Sequence, residues 1–281
     1  MFQINWKFKA FIYKVLYFFK LKKTLFFIQK KITKRAFDEI NEIQFYWEDH
    51  LKYLKSYKSE KILEFGAGKS LQQNIYLSYK SNHKFDQTLI DVSNMIDIDL
   101  FNKANEKISK FLNINRRPFA SSLEDIKKFY NITYLAPCTI NEIKEKKFLF
   151  DACISSTTLE HLPLNDLNNT FEILKKIIKK NGIISVIIDY SDHYSHTDQN
   201  IDHLNFLKFS DNKWKKYNTS FLFQNRLRHQ DFRDFFLKLD YDIVSETKGK
   251  SGIPPKTISE KFDSKNAETF ILWAHFILNF K

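Results

Sequence analysis

Short runs that stay apolar over successive positions recur along the chain and divide it into elements. KILEF (61–65), QTLIDV (87–92), ITYLA (132–136), FLFDACIS (148–155) and GIISVIID (182–189) are hydrophobic on both faces. Strands of that kind are covered on both sides, as in a parallel sheet. Between them lie stretches with helical spacing. One runs from a glycine-containing turn to about Ser81, and others run from Asp99 to Leu112, Ser121 to Tyr130 and Leu164 to Lys180, after an earlier one from about Ala36 to Tyr57. Strand alternating with helix predicts βαβ units. Residues 190–227 break the rhythm: polar and aromatic, rich in His, Asp and Asn, they read as an inserted cap or lid. A helix near Gln230–Leu239, a strand near Tyr241–Glu246, a loop with Gly249, Gly252, Pro254 and Pro255, and a closing strand Phe270–Asn279 then predict a hairpin-like sheet edge. The expected fold is α/β: a doubly wound, mostly parallel sheet of seven strands with helices on both faces, an N-terminal helical extension and a cap after the fifth strand.

A length of 281 residues fits one sizeable domain, residues 37–281, with an arm at 1–36. With 43% hydrophobic and 16% aromatic residues the chain can bury a core, which excludes global disorder and fibrous low-complexity structure. The two cysteines, Cys138 and Cys153, follow no metal-ligand or disulfide spacing, so a disulfide scaffold and a zinc finger are excluded, a reducing compartment is expected, and Cys138 reads as a buried structural thiol. Charge is distributed unevenly. Of the net +12, residues 1–36 contribute +10 through nine lysines and Arg35 with no acid, leaving the body at +2. The high pI therefore belongs to the arm, and a basic groove for nucleic acid on the body is not expected.

The arm is apolar between its lysines. Phe8, Phe11, Ile12, Val15, Leu16 and Phe19 would share one helical stripe, while no charge-free run exceeds six residues. That is too short to span a bilayer, and it has no signal-peptide cleavage pattern. The stripe suits a helix lying in an anionic membrane interface, and equally a helix packed on the body or on a second subunit.

In KILEFGAGKS, Glu64, Gly66, Ala67 and Gly68 stand where the first strand turns toward a helix. Ligands of open α/β sheets bind at such strand ends, and glycine lets the backbone approach them. The third glycine of the dinucleotide fingerprint would fall at Leu71, which disfavours a NAD-type site. Asp91 ends the second strand, where a carboxylate can accept both hydroxyls of a ribose. Taken in order, ILEFGAG, Asp91, FDACISSTTLEHLP and KKNGIISVII resemble the class I S-adenosylmethionine-dependent methyltransferases over about Lys61–Asp189. The resemblance implies a Rossmann-like sheet and S-adenosyl-L-methionine as cofactor. It places Glu64, Gly66 and Gly68 by the methionyl part, Asp91 by the ribose, and Ser155 and Ser156 along the wall after the fourth strand. The adenine contact would map to Cys138–Thr139, where no acid stands, so Thr139 is the candidate.

After the fourth strand the chain reads SSTTLEHLP and lacks the (Asp/Asn)-Pro-Pro-Tyr sequence of relatives that methylate planar amines. The EHLP form is similar to small-molecule, sugar and quinone oxygen methyltransferases. In sugar-directed members a His and an Asp at the positions of His161 and Asp189 assist deprotonation, and a near-neutral base suits a poorly acidic hydroxyl. The segment DYSDHYSHTDQNIDH gathers Asp189, Asp192, His193, His196, Asp198, Asp202 and His203 within 15 residues. We take His193 from it as a third catalytic candidate and assign no metal, while a divalent cation held there and a merely solvated loop stay open. Asn205, Gln224, Asn225, Arg226 and Arg228 could offer donors to a phosphate or carboxylate, or pack the lid. The expected protein is a cytoplasmic enzyme, held by its arm near the inner face of a membrane, that methylates a hydroxyl of a small polar acceptor such as a sugar or sugar nucleotide of a bacterial surface glycan. A quinone-like acceptor and a non-catalytic binding protein on the same fold are the alternatives.

Overall fold

The computed structural model describes residues 4–21, 24 and 44–280. Most of the expected helical arm beyond Leu21, and the start of the helix expected from Ala36, lie outside them. Seven strands form one sheet: β1 (Lys61–Phe65), β2 (Asp86–Ile90), β3 (Ile132–Leu135), β4 (Phe150–Ser156), β5 (Ile178–Asp189), β6 (Tyr241–Lys248) and β7 (Trp273–Phe280), in the order β3-β2-β1-β4-β5-β7-β6. The first five are parallel, and β7 runs antiparallel between β5 and β6. The closing hairpin is thus inserted so that its last strand pairs with β5. The expected α/β sheet is what the chain forms.

Alternation along each strand divides the core in two. Leu63 and Phe65 of β1, Cys153 of β4 and Ile184, Val186 and Ile188 of β5 face one layer, made by α6 (Ile140–Glu145), α7 (Leu164–Ile177) and α8 (His229–Lys238). Ile62, Ala152, Ile154 and Ile183 face the other, made by α2 (Gln44–Ser56), α3 (Gln72–Lys80), α4 (Ile98–Phe111) and α5 (Leu123–Tyr130). The double-sided hydrophobicity of the strands follows from this sandwiching. The reading missed α6, whose first turn is fixed by a reciprocal capping box between Thr139 and Glu142. It also ran α7 too long. Ile178 pairs with Phe150 across a bulge, so the residues after Ile177 join the sheet.

A third, aromatic cluster lies outside these two layers. The cap contributes Tyr194, Phe206 and Trp214, the closing loop Phe262 and Phe270, and α1 (Trp6–Phe18) adds Trp6 and Ala10. Trp6 packs against Tyr194, Phe209 and Tyr217, and its backbone N–H donates to Asp198 at 2.9 Å. Packing on the body is therefore what α1 does, but with the face of Trp6, Lys9, Ala10 and Tyr13. The stripe read from the sequence points outward: Phe8, Phe11, Val15 and Phe19 are exposed. No helix among the described residues is long and apolar enough to cross a membrane.

Candidate active site

At the carboxyl ends of β1 and β2 lies a cavity of about 320 Å³, walled by Gly66, Asp91, Thr139, Thr158, Leu162 and Asn169 among others. Its size suits a small organic ligand. Gly66 and Gly68 both have φ of +79°, a conformation that costs glycine nothing. Above Gly68 the space is open, whereas a Cβ on Gly66 would collide with the side chain of Thr158, so the turns after β1 and β4 meet there. Asp91 lies on the wall nearly buried, and its Oδ2 accepts from the Tyr134 hydroxyl at 2.9 Å.

The other cofactor candidates are placed differently. Glu64 follows the pleat of Ile62 into the α2–α3 layer and does not line the cavity. Gln73 donates to its Oε1 at 3.1 Å and the Asn74 amide donates to Oε2. Burial pushes this carboxyl up to about 8, against the opposing hydrogen bond from Asn74. Ser155 donates to the Phe65 carbonyl at 3.0 Å and Ser156 to Gln73 Oε1 at 2.9 Å, so both hydroxyls tie the sheet to its surroundings. Ala67 packs against the α2–α3 core. Thr139 does reach the cavity, although its hydroxyl is already given to Glu142 at 2.8 Å. The role expected of Ser155 and Ser156, a polar wall after β4, falls spatially to Thr158.

Beyond Thr158 the chain makes a single 3₁₀ turn, Leu159–His161. Asn225 fixes it, its amide donating to the carbonyls of Leu159 at 2.8 Å and Leu162 at 3.0 Å. Residues 158 and 162 face the cavity. Glu160 and His161, between them, join a cluster with Asp189 and His193. The rings of His161 and His193 stand 4.8 Å apart, edge to face, and His193 Nε2 lies 3.2 Å from Asp189 Oδ2. A carboxylate only accepts, so this nitrogen carries the proton. His161 Nδ1 donates to the Phe223 carbonyl at 2.6 Å.

Burial pushes Asp189 up, but hydrogen bonds from His193 and Ser191 together hold it below the usual carboxylate range. His161 is lowered to about 4, by burial first and by His193 next, and stays neutral. Glu160 is pushed well above its ordinary value by burial and then by the charge of Asp189. The amides of Glu160 and Asp189 relieve this in part without reaching hydrogen-bond geometry, and neither carboxylate oxygen has a hydrogen-bond partner among the described residues. The reading passed over Glu160. Its signal was present, next to His161 in the same EHLP.

The rest of the His/Asp-rich segment builds the cap. Asp192 accepts from the Tyr194 N–H and from Asn205, Asp198 from Trp6, and Asp202 pairs with Lys208. The donors expected for an anionic acceptor group are turned inward. Arg228 spends its guanidinium on the carbonyls of Tyr190, Thr269 and Ile271, and Arg226 on those of Phe206 and Phe209 and on Asp211. Gln224 and Asn225 likewise hold backbone. Cys138 lines the cavity as a thiol pushed up by burial, which leaves it unreactive.

Comparison with known proteins finds no matching family and no matching curated sequence. Among solved structures the chain is similar to a protein of Pyrococcus horikoshii OT3, with 14% identity, 86% of this chain and 90% of that one covered, and a TM-score of 0.49. It is also similar to a TehB-like SAM-dependent methyltransferase from Corynebacterium glutamicum, with 10% identity, 92% and 97% covered and a TM-score of 0.47. A third is an S-adenosylmethionine-dependent methyltransferase from Clostridium acetobutylicum, with 11% identity, 92% and 98% covered and a TM-score of 0.44.

Proposed function

We propose that this chain is an S-adenosylmethionine-dependent methyltransferase that alkylates a hydroxyl of a small, polyhydroxylated acceptor, such as a sugar or sugar nucleotide. One observation carries the reading: the cavity and the titratable cluster share a single turn, with Thr158 and Leu162 on its cavity side and Glu160 and His161 on the other. On this reading the turn is the boundary across which the acceptor's hydroxyl meets the methyl donor.

The cavity fits the cofactor. Asp91 offers a carboxylate, already oriented by Tyr134, to the paired hydroxyls of a nucleoside. The open space over Gly68 admits a close-lying chain where any Cβ would need a strained backbone. Bound there, the sulfonium supplies an activated methyl group, so the protein's tasks are placement and removal of the acceptor's proton. The free nitrogens of His161 and His193 are the groups that meet the hydroxyl. Asp189 holds the ring of His193, and the Phe223 carbonyl holds that of His161. This polar, hydrogen-bonding setting favours a sugar over a quinone.

Calorimetry with S-adenosylhomocysteine tests the cofactor half. Micromolar binding is expected, weakened about 10- to 100-fold by Asp91→Asn, which removes the charge from the hydrogen bonds to the ribose. Absence of micromolar binding to the wild-type chain would leave a non-catalytic binding protein as the reading. Labelled methyl donor offered with a panel of sugar nucleotides and quinols then separates the acceptor classes.

For the arm we infer contact with an anionic lipid surface, as at the inner face of a cell membrane. The outward face of α1 exposes Phe8, Phe11, Val15 and Phe18, with Lys7 and Lys14 along its border, and the acid-free +10 charge of residues 1–36 complements such a surface.

A further inference from the structure

We propose that Glu160, His161 and His193 form a binding site for a divalent transition-metal cation. One ligand atom from each residue lies within 4.8 Å of the other two. Ligand atoms each about 2.1 Å from a shared ion stand roughly 3 Å apart, so modest side-chain rotations close the set.

Two further observations point to a ligand. Glu160 is only 3% exposed, yet among the described residues neither carboxylate oxygen has a hydrogen-bond partner and no lysine or arginine pairs with it. Buried carboxylates are normally satisfied, and the amides of Glu160 and Asp189 relieve this one only in part, which leaves it capacity for a ligand. Each imidazole, moreover, has one nitrogen already engaged: His161 Nδ1 donates to the Phe223 carbonyl and His193 Nε2 to Asp189. Fixing the tautomer and ring angle through the far nitrogen is how outer-shell partners prepare a histidine to bind metal. The remaining lone pairs are left for the ion.

Two imidazoles and one carboxylate suit Mn²⁺, Fe²⁺, Co²⁺ or Zn²⁺ better than Mg²⁺ or Ca²⁺, which take mostly oxygen. Three protein ligands leave positions open. In a role that rests on the proposed function and replaces direct contact of the two imidazole nitrogens with the hydroxyl, the ion occupies them with adjacent hydroxyl oxygens of the acceptor and orients these toward the cavity side of the turn.

Tag-free full-length chain, stripped with a chelator, is titrated with Co²⁺ while its visible absorption is followed, with Zn²⁺ as competitor. The expected result is one ion per chain. Asp189→Asn should weaken affinity about 10- to 100-fold, as outer-shell losses do, and Glu160→Gln should weaken it more. His203→Ala, outside the cluster, should leave it unchanged. Circular dichroism and the metal-free melting temperature confirm that each variant is folded. No saturable Co²⁺ binding to the wild-type chain overturns the site, as does binding that survives Glu160→Gln but is lost in His203→Ala. S-adenosylhomocysteine is titrated separately: Co²⁺ binding without nucleoside binding keeps the site and refutes the methyltransferase reading, and the converse result refutes only the metal.

Discussion

Two buried carboxylates mark neighbouring strands of the sheet, Glu64 on β1 and Glu160 just past β4, and they differ in company. Glu64 accepts from Gln73 and Asn74. Asn74 is held by Gln87, Gln73 receives the Ser156 hydroxyl, and His50 links Ser156 to Ser185, which meets His275. One polar chain thus crosses beneath the sheet from β2 to β7. Glu160 has no hydrogen-bond partner among the described residues. Burial raises both carboxyls, Glu64 to about 8 and Glu160 well above the usual range. A carboxylate with a full set of donors belongs to the frame. One kept without donors costs stability, and folds retain such groups where function uses them.

Truncation should separate the two. Glu64→Leu leaves the side-chain amide of Gln73 without an acceptor and that of Asn74 with Gln87 alone, in a dry layer, and should cost about 3 to 5 kcal/mol in urea unfolding. Glu160→Leu removes a group that has no partner to lose, and in metal-free protein should stay within about 1 kcal/mol of the wild type or exceed it. Equal losses in the two variants would break the distinction. Cofactor affinity should follow the reverse logic to a sequence-only reading, with Glu64→Gln retaining it in the folded chain.

The same polar chain predicts acid sensitivity. His275 is lowered to about 4, by burial and then by Lys52, and sits against His50, Tyr53 and Ser185. The unfolded chain binds a proton near pH 6.5, whereas the folded one stays neutral there. Stability is therefore complete above pH 6.5 and falls as pH drops toward 4. At pH 5 the contribution of this residue is on the order of 2 kcal/mol. Melting temperatures measured between pH 7 and 4 should show a shallower decline for His275→Gln than for the wild type, and parallel curves would contradict the assignment.

Much of this arrangement was legible in the residues, and the failures have physical causes. Strand runs that are apolar on both faces announced the sheet, because sandwiched strands have no wet face to show. That Gly66 and Asp91 lie together at one strand-end cavity follows from the sequence, since a strand-end turn and the acid after the next strand leave few alternatives. Glu64 was misplaced by ignoring the pleat: Ile62 and Glu64 must share one face, Leu63 and Phe65 the other. The inward turn of Arg226 and Arg228 was invisible, because backbone carbonyls carry no sequence signal. Glu160 was hidden by its neighbour, whose imidazole drew the chemical reading.

On α1 the same contrast between satisfied and unsatisfied groups reappears in apolar form, with smaller expected effects. The inner face is covered, with Trp6 enclosed by three aromatic rings, so Trp6→Ser should cost about 3 kcal/mol by hollowing the cap cluster. On the outer face, Phe11 and Phe18 are 61% and 79% exposed. Changing both to serine should alter stability by no more than about 0.5 kcal/mol, since both are largely exposed and the ring Phe18 meets, that of Phe19, is itself exposed. Removing residues 1–36 would be a poor test, because it would also strip Trp6 from the cap. The point variants leave that contact in place. Co-sedimentation with vesicles containing anionic lipid should weaken about tenfold in the double variant through lost apolar insertion. Raised salt should weaken it in both proteins, because the lysines act through screened charge. Equal pelleting of wild type and double variant would assign the outer face to a protein partner instead of lipid.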